Sequence, residues 1–571
     1  MANWRSMVGR RAFARPSVDG DVLGRTTDWL WPYWVERQLD PESPSYVPRA
    51  QGPFPVNVTH RNWTAIGNLA SPWTAIVDPR GLVTPWVGGW SLDWWVGAED
   101  RWHLPSREPA VRQSRAGAGP VVETAMRIPG GDAVHRGYAI PASPGDNTGE
   151  LVVVEVENQS AVPVAVAFAV RPYNPDGLVA LGMIEVDDHT VLVDGRPALH
   201  LPRPPAGVAG SILVAGDCVH RVTGGQAAPG HLDVEDPEGL AQAAVVYPLP
   251  HGSTIRVAMP LAPERPRSSA VVPRKHTRRE PPPAIDTTRW PAADDVARGW
   301  QAHLRRGLRV ELPDPRLQAA FEACRADLLL FHTGDSVTPA PWTGREPSVL
   351  QAASMVVTLD RFGFSSEAAQ VLRARPWRAP GTDSGRLRHW EAHAGALWAI
   401  AEHYRLTGDS ALLGELISAV QEGVRVLLGH HVVANLAYED GFWFMRALVD
   451  GAWLLRLAGD GLSAQEAETA AGQLREVITA SLDQVAGRLG RVAMPAAPDR
   501  GFDAGMIGAL VACAPLGLLP PDDPWVMGTL DVVRERFLLK DAFFDSLGRT
   551  GLIPTLTLRI ARCELETGDP K

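Results

Sequence analysis

The 571-residue sequence has only four cysteines, and none of them lies close to another or to a histidine in a metal-binding spacing. This pattern argues against a disulfide framework and a zinc knuckle, and it favours buried free thiols. The sequence also lacks an apolar run long enough to span a membrane. Its basic N-terminus is not followed by the apolar core of a signal peptide, so a cytoplasmic location is expected.

An excess of basic residues is also absent. The 55 Lys and Arg residues are outnumbered by 65 Asp and Glu residues, and the formal net charge is -10. A nucleic-acid-binding protein would carry a basic face, and a partner-binding tail would carry a block of one sign. Neither nucleic acid nor a membrane is therefore expected as a partner. A chain of this length exceeds the usual size of one hydrophobic core, which predicts at least two domains.

Tryptophan, by contrast, is abundant. The chain has 20 tryptophans, and ten of them fall between Trp29 and Trp102. Clustered indoles suit a sugar site, because sugar rings offer apolar C–H faces to an aromatic ring. They suit a buried core or a domain interface equally well, because large aromatics contribute much buried area. Within this stretch, residues 28–36 are predicted to form a buried strap or a short helix.

Composition divides the chain into four segments. Residues 1–59 form a Trp/Pro-rich N-terminal strap, and residues 60–261 carry short Val/Ile/Ala-rich runs between Gly, Asp and Asn turns, which predicts a β-sandwich. Residues 262–292 form a Pro-rich linker, and residues 293–571 show helical periodicity. The run at 151–170 predicts a hairpin. Strands are predicted near 121–139, 150–170, 183–201, 211–218 and 243–261.

The helical segment carries clear start and stop signals. Asp314 followed by Pro315 predicts a helix start, and Gly408 and Gly459 predict helix ends. Short connections between successive helices predict antiparallel hairpins. Helices are predicted near 293–308, 314–332, 346–362, 365–375, 390–407, 410–429, 441–459, 463–488, 503–513, 523–538 and 552–566.

A β-sandwich followed by helical hairpins resembles the glucoamylase/trehalase-like six-hairpin glycosidases. The similarity covers most of residues 60–566 and implies an N-terminal β-supersandwich followed by an (α/α)6-type toroid of helical hairpins. The Ile-Gly-Asn and Asp-x-x-Gly turns resemble the opening strands of that family, and a Trp-x-x-Arg-Glu run resembles its Trp-x-x-Arg-Asp motif. The matching segments are 65–68, 75–82, 342–346, 389–409 and 438–448.

The resemblance implies glycoside hydrolysis of an α-glucan or a small glucoside, with no cofactor and no metal. In the family, the Arg-Asp pair binds hydroxyls of the terminal sugar, a role that falls here to Arg345 and Glu346. Charged side chains form strong, directional hydrogen bonds to hydroxyl groups. Trp342, Trp390 and Trp443 are expected to stack on the sugar. Stabilisation of a helix N-terminus is the competing interpretation of Glu346.

Glycoside hydrolysis usually needs two carboxylates, which stand roughly 6.5–9.5 Å apart in an inverting enzyme. Glu391 and Asp440 are the candidates for the catalytic acid, and Glu439 is a candidate substrate contact. Helix capping competes with catalysis for each of them, and for Asp440 it is at least as strong an explanation. His389 and His393 share a helix face, but Glu391 points away from that face and no third ligand is placed, so a zinc site is not predicted.

Three features depart from the family pattern. Glu346 is one methylene longer than the family's Asp, the loop ahead of residues 442–455 is short, and the family's final hairpin, which carries a catalytic carboxylate, has no match after residues 551–562. Exposed apolar faces of an incomplete toroid would need cover from helix 293–308, from a second copy of the chain or from another subunit. The alternative function is therefore a non-catalytic carbohydrate-binding or assembly protein, a pseudoenzyme on the same fold.

Overall fold

The structure is a computed structural model that describes residues 26, 28–46, 63–141, 149–175, 177–262, 287–339, 347–374, 389–430, 437–545 and 551–568. The chain divides into two compact units. Of the described residues, the sheet unit comprises those up to Thr333, and the helical unit comprises Gly334–Pro339 with those from Pro347 onward. Among the residues described, no helix combines the length and the apolar character that crossing a membrane requires.

Two antiparallel sheets form the centre of the sheet unit. Their strands are β1 Thr64–Gly67, β2 Thr74–Val77, β3 Val83–Thr84, β4 Ser91–Gly97, β5 Trp102–His103, β6 Val111–Arg115, β7 Val122–Ile128, β8 Gly131–Ile140, β9 Leu151–Asn158, β10 Val164–Arg171, β11 Tyr173–Asn174, β12 Gly177–Leu178, β13 Met183–Val186, β14 Thr190–Val193, β15 Arg196–His200, β16 Gly207–Ser211, β17 Leu232–Glu235, β18 Gln242–Leu249 and β19 Thr254–Pro260. One sheet has the order β1-β2-β3-β4-β10-β18-β16, with β5 also paired to β4. The other has the order β17-β13-β14-β15-β19-β9-β8-β7-β6, and β11 pairs with β12.

The apolar run at 151–170 forms two strands that belong to different sheets. Strand β9 pairs with β8 and β19, whereas β10 pairs with β4 and β18. The predicted hairpin is therefore wrong, because the chain crosses from one sheet to the other between residues 158 and 164. Most residues of both strands are buried on either face, so the sequence lacks the regular alternation that would have indicated their pairing.

Each face of these two strands is covered. Val154 of β9 and Phe168 of β10 lie in the core between the sheets. On the opposite face of β10, Ala167 packs in a second cluster with Leu30 and the helix at 218–223. On the opposite face of β9, Val153 packs in a third cluster with Trp290 and Ala293. Side chains alternate across a strand, so this double cover accounts for the continuous apolar run.

The segment at 211–218, which was predicted as a strand, is not one. Strand β16 ends at Ser211, a 3₁₀ turn follows at Leu213–Ala215, and helix α2 occupies Cys218–Thr223. Gly216 has φ of 85°, a conformation that breaks a strand, and Asp217 caps the helix by accepting the backbone N–H of Val219. The prediction gave more weight to the apolar composition than to the Gly-Asp stop signal.

A buried ion pair fastens the N-terminal residues to the sheet unit. The guanidinium of Arg171 contacts the carboxylate of Asp217, and both side chains are fully buried. Arg171 and Tyr173 each donate a hydrogen bond to the carbonyl of Leu30, and Asp217 accepts the Leu30 backbone N–H at 2.7 Å. Helix α1 follows at Tyr33–Leu39, in the region predicted as a strap or short helix.

Most of the clustered tryptophans belong to the interior of the sheet unit. Six of the ten between Trp29 and Trp102 are buried, and the remaining four are half-buried. This burial favours the core interpretation of the cluster over the sugar-site interpretation. The buried six are Trp29, Trp31, Trp34, Trp90, Trp94 and Trp95.

The helices that follow residue 290 confirm the predicted series, because each predicted end lies within four residues of the observed one. Contacts group α3 and α4 with the sheet unit, whereas the sequence predicts a helical domain from residue 293. One segment, Ala504–Ala512, is a 3₁₀ helix. The α-helices are α3 Ala293–Leu304, α4 Pro315–Leu330, α5 Val349–Arg361, α6 Ser365–Ala374, α7 His389–Thr407, α8 Ser410–Leu428, α9 Tyr438–Leu457, α10 Gly461–Leu489, α11 Pro524–Arg536 and α12 Pro554–Thr567. Short strands β20 Leu538–Leu539, β21 Ala542–Asp545 and β22 Gly551–Leu552 precede α12.

Candidate functional site

Helices α7 and α9 of the helical unit pack against each other and run in the same direction. Near the start of α7, Trp390 contacts Phe444 of α9, with 5.6 Å between ring centroids. Further along, Leu397 packs on Gly451, whose position would place a Cβ 3.5 Å from Leu397 Cδ1. Because residue numbers rise together along both helices, the first turns of α7 and α9 lie at the same end of the unit.

The length of α8 explains this arrangement. Helices α7 and α8 each have 19 residues, so each spans about 28 Å. Gly408, with φ of 67°, forms the turn between them, and Asp409 caps α8 by accepting the Leu412 backbone N–H at 2.9 Å. The antiparallel return of α8 therefore brings the chain back to the end at which α7 begins.

Three acidic residues predicted from the sequence occupy these first turns. Glu391 is the third residue of α7, and Glu439 and Asp440 are the second and third residues of α9. Glu391 and Asp440 are half-buried. Axes of packed helices lie about 8–10 Å apart, and helix N-termini favour negative charge. The backbone thus presents carboxylates from two neighbouring helices at one end of the helical unit.

Glu439 is fixed by two residues that the sequence analysis did not single out. Arg559 of α12 donates a hydrogen bond from Nη1 to Glu439 Oε1 at 3.2 Å. The side chain of Glu439 is 39% exposed and that of Arg559 is 29% exposed. On the other side, Glu439 packs closely on Gly508 of the 3₁₀ helix, where an added Cβ would lie 2.5 Å from Oε2. Glycine at 508 therefore leaves the space that the Glu439 carboxylate occupies.

The charge state of Glu439 reflects opposing influences. Burial raises its pKa above the ordinary value, the positive charge and hydrogen bond of Arg559 lower it, and the neighbouring Asp440 raises it again. The net direction is upward. Glu439 therefore binds a proton more readily than an exposed glutamate does, while Arg559 favours its ionised form.

The two predicted stacking residues in this part of the chain are buried. Trp390 is 2% exposed and Trp443 is 4% exposed. The Trp390 ring contacts Phe444, and Trp443 makes an edge-to-face contact with Trp398 at 5.1 Å between centroids. These aromatic contacts join α7 to α9 and help to hold the first turns together. Stacking of either ring on a sugar stays a prediction.

Three predicted residues, Trp342, Arg345 and Glu346, lie outside the described residues, so their placement in the site stays a prediction.

Deeper along α7 and α9, the sequence analysis missed a buried charge network. Asp450 of α9 pairs with Arg405 of α7 and, at 2.8 Å, with Arg446 of its own helix. Arg446 also donates to the carbonyl of Leu516 at 3.0 Å. A buried carboxylate with two arginines fixes the relative position of α7 and α9 below their first turns.

One group of side chains in the sheet unit has atoms close enough to share a cation. The ligand atoms of Asp187, Asp188 and His231 all lie within 4.8 Å of one another, and His231 Nδ1 lies 3.0 Å from Asp187 Oδ1. These side chains are exposed or half-exposed, as acidic surface groups commonly are without an ion. We assign no ion to these three side chains.

No protein-family model matches the chain, and no curated protein matches it either. Among solved structures, a bacterial glucoamylase complexed with acarbose superimposes with a TM-score of 0.58 at 11% sequence identity, covering 89% of this chain and 86% of the other. The chain has a glucoamylase-like glycosidase fold. The glucoamylase-like fold combines an N-terminal β-sandwich with a helical toroid, as the resemblance in the sequence implied.

Two further solved structures are more distant. A structure described as a wild-type glycosidase covers 46% of this chain and 82% of its own, with a TM-score of 0.38 and 16% identity. A glycosyl hydrolase of family 92 covers 73% of this chain and 59% of its own, with a TM-score of 0.20 and 11% identity. The similarity of this chain to these two structures is too low to support a comparison of sites.

Proposed function

We propose that this protein binds an α-glucan or a small glucoside at the end of the helical unit where α7 and α9 begin, and hydrolyses it by two-carboxylate chemistry. The observation that carries the proposal is that Glu391, Glu439 and Asp440 belong to the first turns of two adjacent parallel helices. The glucoamylase-like fold supports it, since the superimposed bacterial glucoamylase holds acarbose.

The chemistry divides among these carboxylates. One carboxylic acid protonates the glycosidic oxygen as the bond to the sugar breaks, and a carboxylate on the other side of the bond accepts a proton from water or attacks the sugar carbon. Glu391 and Asp440 are the candidates for the acid. Their positions on separate helices allow one carboxylate on each side of a sugar, an arrangement that a single helix turn cannot provide.

Glu439 and Arg559 fit a binding role. An ionised carboxylate accepts hydrogen bonds from sugar hydroxyls, and a guanidinium donates them to hydroxyl oxygens. Because Glu439 already accepts a hydrogen bond from Arg559, the pair offers an acceptor and a donor side by side, which suits hydroxyl recognition. Arg345 and Glu346 are proposed as a second pair of the same kind, with Trp342, Trp390 and Trp443 as stacking residues.

A non-catalytic carbohydrate-binding or assembly protein is the second candidate. The observation that favours it is the Arg559–Glu439 hydrogen bond, which commits one of the three carboxylates to an arginine. In this case the site would retain hydroxyl recognition without turnover. A cytoplasmic location and a homo-oligomer or partner subunit are part of the proposal in either form.

The experiment is a thermal-shift and calorimetric screen of the full chain with maltose, maltotriose and acarbose, followed by an assay for released reducing ends. Binding with turnover supports hydrolysis, and binding without turnover supports the second candidate. For hydrolysis, Glu391→Gln and Asp440→Asn identify the acid, since its loss typically lowers the rate by 10²- to 10⁴-fold or so. Arg345→Ala is expected to weaken binding, and unchanged binding in that variant would place the sugar elsewhere.

A further inference from the structure

Two of the four cysteines meet in the helical unit although they are 50 positions apart in the chain. Cys513 directly follows the 3₁₀ helix, and Cys563 lies in α12. Both are buried. The carbonyl of Leu510 accepts the Cys513 backbone N–H at 3.1 Å and lies 3.8 Å from Cys563 Sγ. Both cysteines therefore lie next to the same carbonyl group.

A second contact orients the Cys513 side chain toward α12. Its sulfur lies 3.8 Å from Oε2 of Glu566, which is three residues beyond Cys563 on the same helix. The interaction between the two thiols lowers the pKa of Cys563 and, together with burial, raises that of Cys513. The thiolate is the nucleophilic form of a cysteine, so Cys563 is the better nucleophile of the two.

We propose that Cys513 and Cys563 form a modification site at which hydrogen peroxide converts the two thiols into a disulfide. Cys563 sulfur attacks one peroxide oxygen, so that an S–O bond forms, the O–O bond breaks and water leaves. Cys513 sulfur then attacks Cys563 sulfur, so that the S–S bond forms and the oxygen leaves as a second water with the Cys513 proton. Two thiols are oxidised and one peroxide is reduced to two waters.

The disulfide would join the two elements that hold Glu439. Gly508 lies in the 3₁₀ helix that ends just before Cys513, and Arg559 lies one turn before Cys563 on α12. Oxidation would therefore fix α12 on the 3₁₀ helix behind Glu439. This inference does not depend on carbohydrate binding, because the bond forms or fails to form whatever the site binds.

The other two cysteines are internal controls. Cys324 is exposed, so it reports whether peroxide has reached reactive thiols, and Cys218 is buried beside Arg171 in the sheet unit. The full chain is treated with hydrogen peroxide, quenched, alkylated, digested with trypsin and analysed by mass spectrometry. Cys513 and Cys563 fall in different tryptic peptides, because Arg534 and Arg562 lie between them.

The expected result is a linked peptide pair joining Cys513 to Cys563 that disappears on reduction with dithiothreitol. Amide exchange in residues 554–567 should slow by at least about tenfold in the oxidised protein, since a disulfide restrains the opened state. In Cys513→Ser, Cys563 should instead accumulate as a sulfenic acid that a dimedone probe captures. Recovery of both cysteines as alkylated free thiols while Cys324 is oxidised, or linkage of either one to Cys218 or Cys324, would overturn the proposal.

Discussion

Arg559 donates a hydrogen bond to Glu439 at 3.2 Å and so joins α12 to the first turn of α9, across 120 positions in the sequence. This contact brings a positive charge to the end of the helical unit where α7 and α9 begin, in whose first turns Glu391 and Asp440 lie. The positive charge of Arg559 lowers the pKa of Glu439, against the larger upward effect of burial. The first expectations concern this pair.

Replacing Arg559 with Gln should weaken binding of maltotriose or acarbose by roughly three- to thirtyfold, because a charge-assisted donor is lost. The pKa of Glu439 should rise further, since Arg559 lowers it. Binding that requires ionised Glu439 is lost as pH falls through that pKa, so in the variant the loss should begin at higher pH. Calorimetric titration between pH 4 and 8 measures both effects.

The matched control is Arg534→Gln. Arg534 pairs with Glu564 at 2.9 Å and joins α11 to α12. The substitution therefore removes a comparable ion pair from α12 but leaves Glu439 unchanged. Equal loss of binding in both variants would mean that Arg559 acts only by anchoring α12.

The second expectation concerns the space at Gly508. Gly508→Ala would place a Cβ 2.5 Å from Glu439 Oε2, so the carboxylate must move away from its present position. Affinity for the sugar should fall to the level of Glu439→Gln while the protein remains folded by circular dichroism. Gly472→Ala in α10, where a Cβ meets open space, should leave binding unchanged and stabilise the helix by up to about 1 kcal/mol.

The helices and their caps could be predicted from the sequence because their signals are local. Gly408 and Gly459 end one helix each, and the aspartate that follows each glycine caps the next helix. These local signals place the helix boundaries. The contacts that build the site are not local. Neither the Arg559–Glu439 pair nor the Gly508 contact leaves any mark on spacing or periodicity, because both depend on how separate helices pack. The one signal in the sequence is that Gly508 lies inside an apolar helical segment, where a glycine can mark a close packing contact.

In the sheet unit, pH should affect stability through Asp78. Burial raises the pKa of Asp78 to about 7, and its Oδ2 has no hydrogen-bond partner among the described residues. Between the unfolded pKa, about 3.9, and this value the folded state binds more protons than the unfolded state. Stability should therefore decrease as pH rises from about 4 to 7, by at most about 1.4 kcal/mol per pH unit. The Asp78→Asn variant should lose this contribution in urea unfolding, most clearly between about pH 6 and 7, above the value of about 6 to which burial raises the pKa of Asp93. Asp233→Asn, at an exposed position on β17, should retain it.

The buried pair that fastens the N-terminal residues should contribute strongly to stability. Asp217→Asn leaves the guanidinium of Arg171 buried without its counter-charge and should cost about 3–5 kcal/mol. Denaturant unfolding monitored by tryptophan fluorescence suits this test, since Trp29, Trp31 and Trp34 are buried nearby. Glu535→Gln, which removes an exposed ion pair with Arg491, should produce no measurable change. A similar effect in both variants would contradict the role assigned to burial.

The measurement that tests the central claim most directly is calorimetric titration of acarbose into the wild-type protein and into Glu439→Gln, with Gly472→Ala as the folded control. The account predicts binding to the wild type and the control, and affinity at least about tenfold lower in Glu439→Gln, because a hydroxyl loses an ionised acceptor. Equal affinity in all three proteins would place the carbohydrate away from the first turns of α7 and α9, and would contradict the account.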